Sequence, residues 1–337
     1  MRADDANSVS SRLYAESEPF LAAHPGFDVS SLPSWVAENI DAARVYGAGK
    51  KGVILPDGRK YHLDNRLNDM TGREWTFFIN SVFSTHYPTN GKEAYAHHIR
   101  KIHPTPKPPQ LMRDLIDFFT KEGELVFDTF MGVGGTLLGA ALANRTAAGI
   151  ELNPQYIDAY YRAAEELRLP AFQTKCGDSL SLLREREVME ELTSGAPVSL
   201  LLIDPPYSNM MSKEKTGADI AVYGKSATPF SASELDLGNM DRPQFLEKLK
   251  ESVALSLPYI KFRGYVVVFI KDLQPSKKET NLLHAEVVAA LNQIPELYYK
   301  GMKIWADEST KLYPYGYPFS FVANQIHQYI LVFRKEK

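Results

Sequence analysis

Leu200-Leu201-Leu202-Ile203-Asp204-Pro205-Pro206-Tyr207 is the stretch on which the fold turns. Four aliphatic residues in a row, with no polar alternation, describe a strand buried on both faces, as strands of a parallel sheet are. Two prolines then stop it, because neither can donate to a sheet ladder and both restrict the chain. A strand over 199–203 therefore delivers an acid, Asp204, at its carboxyl end, with the Pro205 carbonyl turned into the same space. A plain strand-ending turn is the alternative reading.

Outward from this strand, helix and strand patterns alternate. Helices are expected over 109–119, 136–144, 156–167, 243–257 and 280–291, and strands over 124–128, 146–151, 265–270 and 328–333. Such alternation implies an α/β fold with a mixed, mostly parallel sheet and helices on both faces. Ligands bind such sheets beyond the carboxyl ends of the strands. Ahead of it, residues 1–85 form a small N-terminal appendage. Its first 50 or so read as amphipathic helix, with Trp35, Val36, Ile40, Ala43 and Val45 near helical spacing. A hairpin over 53–61 turns at Asp57-Gly58, and Thr71-Gly72-Arg73-Glu74 has the form of a capping box. No chemistry is legible there, and a recognition or interaction role is left open; the catalytic domain is placed at 86–337.

Bulk properties narrow the classes. The chain has 337 residues, 44% of them apolar, and neither a long apolar run nor the apolar core of a secretion signal. A cytoplasmic, non-membrane protein is expected. The one cysteine, Cys176, excludes a disulfide framework or a cysteine-built zinc site, no metal site is expected, and a small buried side chain is its bland role. A net charge of −3 argues against coating nucleic acid by bulk electrostatics. Local contact is left to the stretch from His86 to Arg113, where Lys92, Arg100, Lys101, Lys107 and four histidines face only Glu93. A solvated basic face explains the same residues.

A second motif lies upstream. Asp128-Thr129-Phe130-Met131-Gly132-Val133-Gly134-Gly135 leaves a strand and enters a helix, where glycines let backbone approach a ligand. An acid about 20 residues on strengthens a nucleotide reading, since it can bond ribose hydroxyls; Glu151 fills that place. Asp178, at the next strand end, suits an adenine amino group, with a helix N-cap as its structural role. No P-loop lysine pattern appears, so a dinucleotide or methyl donor is favoured over a triphosphate.

Ile102-His103-Pro104-Thr105-Pro106-Lys107-Pro108-Pro109, followed by the Asp128 loop and Asp204-Pro205-Pro206-Tyr207, resembles the DNA amino-methyltransferases that act on adenine N6 or cytosine N4. The resemblance implies a Rossmann-like class I methyltransferase fold and S-adenosylmethionine as cofactor. It carries cofactor contacts to Thr105, Lys107, Pro108, Asp128, Phe130, Gly132 and Gly134, beside Glu151 and Asp178. Val133 and Gly135 depart from it, standing where the family often has serine and threonine. Asp204, Pro205, Pro206 and Tyr207 become the catalytic set. Their acceptors engage the hydrogens of an exocyclic amine whose lone pair is otherwise delocalised, and Tyr207 offers a flat face to an extruded base. The closing block from Gly316 to Phe333 resembles the family's last hairpin; of Tyr317, Phe319 and Phe321, Phe319 is the choice for the opposite wall. Motif order leaves no inserted recognition domain, so specificity is sought in loops at about 208–243 and 275–323, or in 1–85.

The resulting expectation is N6-adenine methylation of DNA, with restriction or defence partners in view. Alternatives are cytosine N4 or an RNA base, a catalytically silent nucleic-acid-binding subunit, and a nicotinamide dehydrogenase. The dehydrogenase leaves Asp-Pro-Pro-Tyr unexplained.

Overall fold

The computed structural model describes residues 14–207, 230–272 and 281–337. Their contacts fall into two units, one ending at Asn80 and also taking Asp117–Glu122, the other holding Ser81–Ile116 and Gly123–Lys337.

The first unit contains an antiparallel sheet of β1 (Arg44–Tyr46), β2 (Gly52–Ile54) and β3 (Lys60–His62). Asp57-Gly58 turns β2 into β3, with Gly58 at φ 86°, where a side chain is costly. Thr71 and Glu74 close the capping box of helix Gly72–Phe78. The long amphipathic helix expected near the start is absent from the described residues. Pro19 and Pro33 instead start single turns at Phe20–Ala23 and Ser34–Ala37, and Val45 lies in β1. Val36, Ile40, Ala43 and Val45 do share a core, with Phe20, Val53 and Leu55. The apolar spacing marked a buried cluster rather than one helix.

The second unit is built on an eight-stranded sheet of order β4-β10-β11-β9-β8-β5-β6-β7. Its strands are β4 (Val82–Thr85), β5 (Leu125–Asp128), β6 (Thr146–Glu151), β7 (Gln173–Cys176), β8 (Val198–Ile203), β9 (Ile260–Ile270), β10 (Leu297–Asp307) and β11 (His327–Lys335). β11 runs antiparallel to both neighbours, and every other pairing is parallel. The chain winds outward from β5 through β6 to β7, then returns to place β8 on the other side of β5 and β9 beyond it. Right-handed crossovers in opposite directions set the connecting helices on opposite faces and open a crevice between β5 and β8. All six residues of β8 are buried, as its unbroken apolar run requires.

Sequence reading missed β10 and helix Arg186–Thr193. Much of the presumed recognition region 275–323 is helix Leu283–Leu291 and β10; 275–280 lie outside the described residues, as do 208–229 with Lys213, Lys215 and Lys225. Cys176 is exposed rather than buried. The basic stretch is divided: Arg100 and Lys107 are buried, while His86, Lys92, His98 and Lys101 are exposed, His98 pairing with Glu166.

Helix Gly135–Leu142 packs so close to helix Pro109–Phe119 that a Cβ on Gly139 would sit 2.7 Å from Met112 Cβ and 2.9 Å from the Arg113 backbone nitrogen. Helix propensity favours alanine there by about 1 kcal/mol, while overpacking against backbone costs about 1–3 kcal/mol. Gly139→Ala is therefore expected to lower unfolding stability in a urea titration, and a rise in the midpoint overturns the packing argument.

Candidate active site

Asp204 leaves β8 beside the tip of β5, where Asp128 stands. Val126↔Leu200 and Phe127↔Leu201 are paired in parallel, so the two carboxyl ends lie on neighbouring strands, ~4.8 Å apart. A cavity of about 1030 Å³, mouth included, opens over them. Its wall takes Thr105, Lys107, Phe130 and Gly132 from one side, Glu151 and Asp178 from the next two strand ends, and Asp204 to Tyr207 from the other. Asp128 lines an adjoining recess shared with Thr105, Lys107, Gly132 and Asp204.

On the Asp204 side, both carboxylate oxygens are engaged. The Lys107 ammonium donates to Oδ2 at 2.5 Å and the Tyr207 hydroxyl to Oδ1 at 2.5 Å. Lys107 is only 8% exposed and also lies 5.2 Å from the Phe269 ring centroid. An ionised carboxylate has about four lone-pair sites, so two remain for a further pair of hydrogens. The backbone of Lys107 is held too. Both terminal nitrogens of the buried Arg100 donate to its carbonyl, at 2.9 and 3.1 Å, while burial brings the guanidinium down to about 10. Gly135 permits this approach, since a Cβ there would meet the same carbonyl at 2.9 Å. Consecutive left-handed residues, Tyr95 at φ 45° and Ala96 at φ 54°, precede the turn that buries Arg100. Such backbone costs about 1–3 kcal/mol per residue and persists where surroundings over-determine it.

The other side holds two carboxylates with no cation on them among the described residues. Asp128 accepts the Phe130 N–H at 2.9 Å; Glu151 accepts Gly132 N–H and Asn153 N–H, both at 2.8 Å. Burial raises each to about 7, against those bonds. Near them the Thr129 hydroxyl is buried without a partner and Thr129 lines the cavity. These are groups that a positively charged nucleoside satisfies: carboxylates at two adjacent strand tips, one for a cation and one for ribose hydroxyls, and a hydroxyl in want of a bond. S-adenosylmethionine fits that description.

Not every expected residue faces the cavity. Asp178 caps the turn Ser179–Leu182, accepting from Leu180 and Ser181 N–H while it lines the cavity. Gly134 backs away from the cavity; at φ 73° it starts helix Gly135–Leu142, with Tyr160 where its Cβ would be. Pro108 lines neither the cavity nor the recess. Tyr317, Phe319 and Phe321 are 81%, 92% and 94% exposed, so none of the three walls the cavity here. Asn324 bonds backbone, exchanging 2.8 Å hydrogen bonds with Tyr313.

Sequence reading missed other groups. His103 stacks on Phe230 at 5.0 Å and meets Tyr156 edge-on, its Nδ1 accepts the Thr105 N–H, and burial pushes it down to about 4, so its imidazole is neutral. Phe230, Leu235 and Asp236, inside the presumed recognition loop, wall the cavity instead, and Gln328 reaches it from β11. Only His103 carried a sequence signal, as the first residue of the lysine-proline segment.

Comparison with known proteins bears on this arrangement. Residues 56–162 match the family model described as DNA methylase. The type II methyltransferase M1.MboII of Moraxella bovis is 31% identical over 115 residues, 34% of this chain and 40% of that protein. The orphan methyltransferase M.BamHII of Bacillus amyloliquefaciens is 45% identical over 56 residues, 17% of this chain and 21% of that one. The matched segments thus span well under two thirds of those relatives. Among solved structures, TrmN from Thermus thermophilus aligns with a TM-score of 0.40 at 16% identity, over 68% of this chain and 49% of that one, and nothing is drawn from it. The matched segment holds the lysine-proline strap, the glycine loop and Glu151, and over it the chain is similar to the DNA methylase family.

Proposed function

We propose that this protein transfers a methyl group from S-adenosylmethionine to the exocyclic amine of an extruded DNA base, adenine N6 before cytosine N4. The observation that carries the reading is the cavity to which the β6 and β8 ends bring Glu151 and Asp204, with Asp128 of the β5 end in the recess adjoining it. S-adenosylmethionine supplies a methyl group on a sulfonium centre when bound. This chain's residues then have two tasks. Asp128, Glu151 and Thr129 hold and orient a cationic nucleoside, with Thr105 and Lys107 of the strap across it. Asp204 and the Pro205 carbonyl accept hydrogen bonds from the two amine N–H groups, which localises the nitrogen lone pair for in-line attack. The proton that the alkylated nitrogen must lose passes by way of Asp204 to solvent. Lys107 and Tyr207 fix the carboxylate so that it accepts hydrogen bonds without turning. Tyr207 presents its ring to the base, a contact worth about 1–3 kcal/mol. Phe319 stays a proposed base contact, made from the exposed loop once nucleic acid is bound. Aspartate rather than serine at 204 favours adenine by family resemblance. We place the enzyme in the cytoplasm, alone or beside a restriction or defence partner.

Labelled cofactor, incubated with unmodified DNA and RNA and followed by nucleoside analysis, tests the reading. Methyladenine from DNA is expected. Methylcytosine or label confined to RNA replaces the substrate, and nucleic-acid binding without label favours the silent subunit. Asp204→Ala is expected to abolish transfer while the cofactor dissociation constant stays within about tenfold, roughly 1.4 kcal/mol; full activity removes Asp204 from the chemistry.

The raised carboxylates give a second test. Below about pH 7 Asp128 and Glu151 are mostly protonated in the free protein and attract a cation poorly. Cofactor affinity is therefore expected to climb from about pH 6 to 8, with proton release visible by calorimetry in buffers of different ionisation enthalpy. Because folding raises the Asp128 value, its contribution to stability is present at acid pH and lost as pH rises through about 7. Asp128→Asn should stabilise the free protein at pH 8 and weaken cofactor binding; affinity flat with pH overturns the charge argument.

A further inference from the structure

We propose that Gln328 determines which bases the pocket accepts, selecting the amino bases adenine and cytosine against the keto bases. This rests on the methyl-transfer reading above and adds the group that reads the base beside its amine. Gln328 lies near the start of β11, antiparallel to β9, and so at the same end of the sheet as Asp204. It lines the cavity with Asp204 and Tyr207, and its amide meets the Tyr207 hydroxyl at 3.3 Å.

The orientation of that amide follows from counting protons. A phenol has one, and Tyr207 gives it to the Asp204 carboxylate at 2.5 Å, a charge-assisted bond far stronger than a 3.3 Å contact to a neutral amide. Burial and the Asp204 charge push the Tyr207 hydroxyl well above its ordinary value, so the proton is never lost in the working range. The atom of Gln328 that faces Tyr207 must then be a donor. Turning the amide by 180° keeps its outline, puts an N–H on the Tyr207 oxygen, and reverses the assignment of Oε1 and Nε2, which rests on hydrogen bonding alone.

Once locked, Gln328 has a carbonyl oxygen and one N–H left, in an order it cannot reverse without losing Tyr207. That N–H matches the ring-nitrogen acceptor that adjoins the amine, N1 of adenine or N3 of cytosine, while both amine hydrogens stay with Asp204 and the Pro205 carbonyl. Guanine, thymine and uracil carry a ring N–H at that place and meet donor with donor. Asp204 alone asks only for an amine; Gln328 asks what adjoins it.

The test uses the full chain, labelled cofactor, unmodified DNA as substrate, and poly(dA), poly(dC) and poly(dT) as competitors. For the wild type, poly(dA) and poly(dC) are expected to inhibit at least tenfold better than poly(dT). In Gln328→Ala that gap should close to within about twofold and KM for DNA should rise, while the cofactor dissociation constant, read by calorimetry, is unchanged. Gln328→Glu, which offers Tyr207 no N–H, should behave as badly or worse. A gap that persists in Gln328→Ala, with wild-type transfer intact, overturns the inference alone. A wild-type chain that labels no nucleic acid overturns the functional reading and this inference with it.

Discussion

The parallel pairing of β5 with β8 is the constraint from which the site follows. The chain makes β6 and β7 between these two strands, yet β8 returns to lie against β5, with Phe127 opposite Leu201. Strands in a parallel pair end on the same side, and the helices leaving them at such a reversal diverge to opposite faces. A crevice results that no side chain had to create. Register matters because a slip of one residue would turn each strand's faces over. Both strands are buried along their length, so the apolar core fixes the register that brings Asp128 and Asp204 to one opening.

Charge inside the crevice is arranged unevenly. Lys107 is spent on Asp204, and Arg100, the other buried cation of the strap, is spent on a carbonyl. Isolating a guanidinium in this way costs several kcal/mol and gains little stability, so its effect is better sought in geometry: it fixes the backbone from which Lys107 reaches Asp204. Glu151 is held by backbone N–H groups and Asp128 by the Phe130 N–H and the nearby Thr136 hydroxyl, and burial outweighs those contacts. The free protein thus holds an ion-paired Asp204 beside two acids that burial has raised to about 7. An incoming cation gains most at Asp128 and Glu151 and has little reason to compete for Asp204.

Legibility in the sequence tracked how local each signal is. The unbroken apolar run of β8 and the acid-proline stop gave the strand and its tip, and glycine spacing with Glu151 gave the neighbouring loop. Those features need only the residues adjacent in sequence. β10 was missed because its burial is mixed along its length, partly exposed where it pairs with β4 and β11, so neither alternation nor a continuous apolar run marks it. Phe230 and Gln328 were missed for a different reason. Each reaches the cavity across tertiary distance, from a segment whose own pattern says nothing of Asp204. The first unit shows the converse error, since Val36, Ile40 and Val45 do pack together, but across short turns and a strand rather than along one helix.

The ion pair also ties together two lines of support that do not overlap in sequence. The family match runs over residues 56–162 and stops well before Asp204. The acid-proline motif stands outside it, and taken alone is a short pattern that a strand-ending turn explains. Lys107 lies inside the match, 97 residues from Asp204, and its ammonium is on that carboxylate at 2.5 Å. A buried lysine tolerates few partners, because leaving it unpaired costs about 3–5 kcal/mol. Whatever role the matched strap has, Asp204 is held beside it by the same residue. The plain-turn reading has no account of why the fold should bring them together.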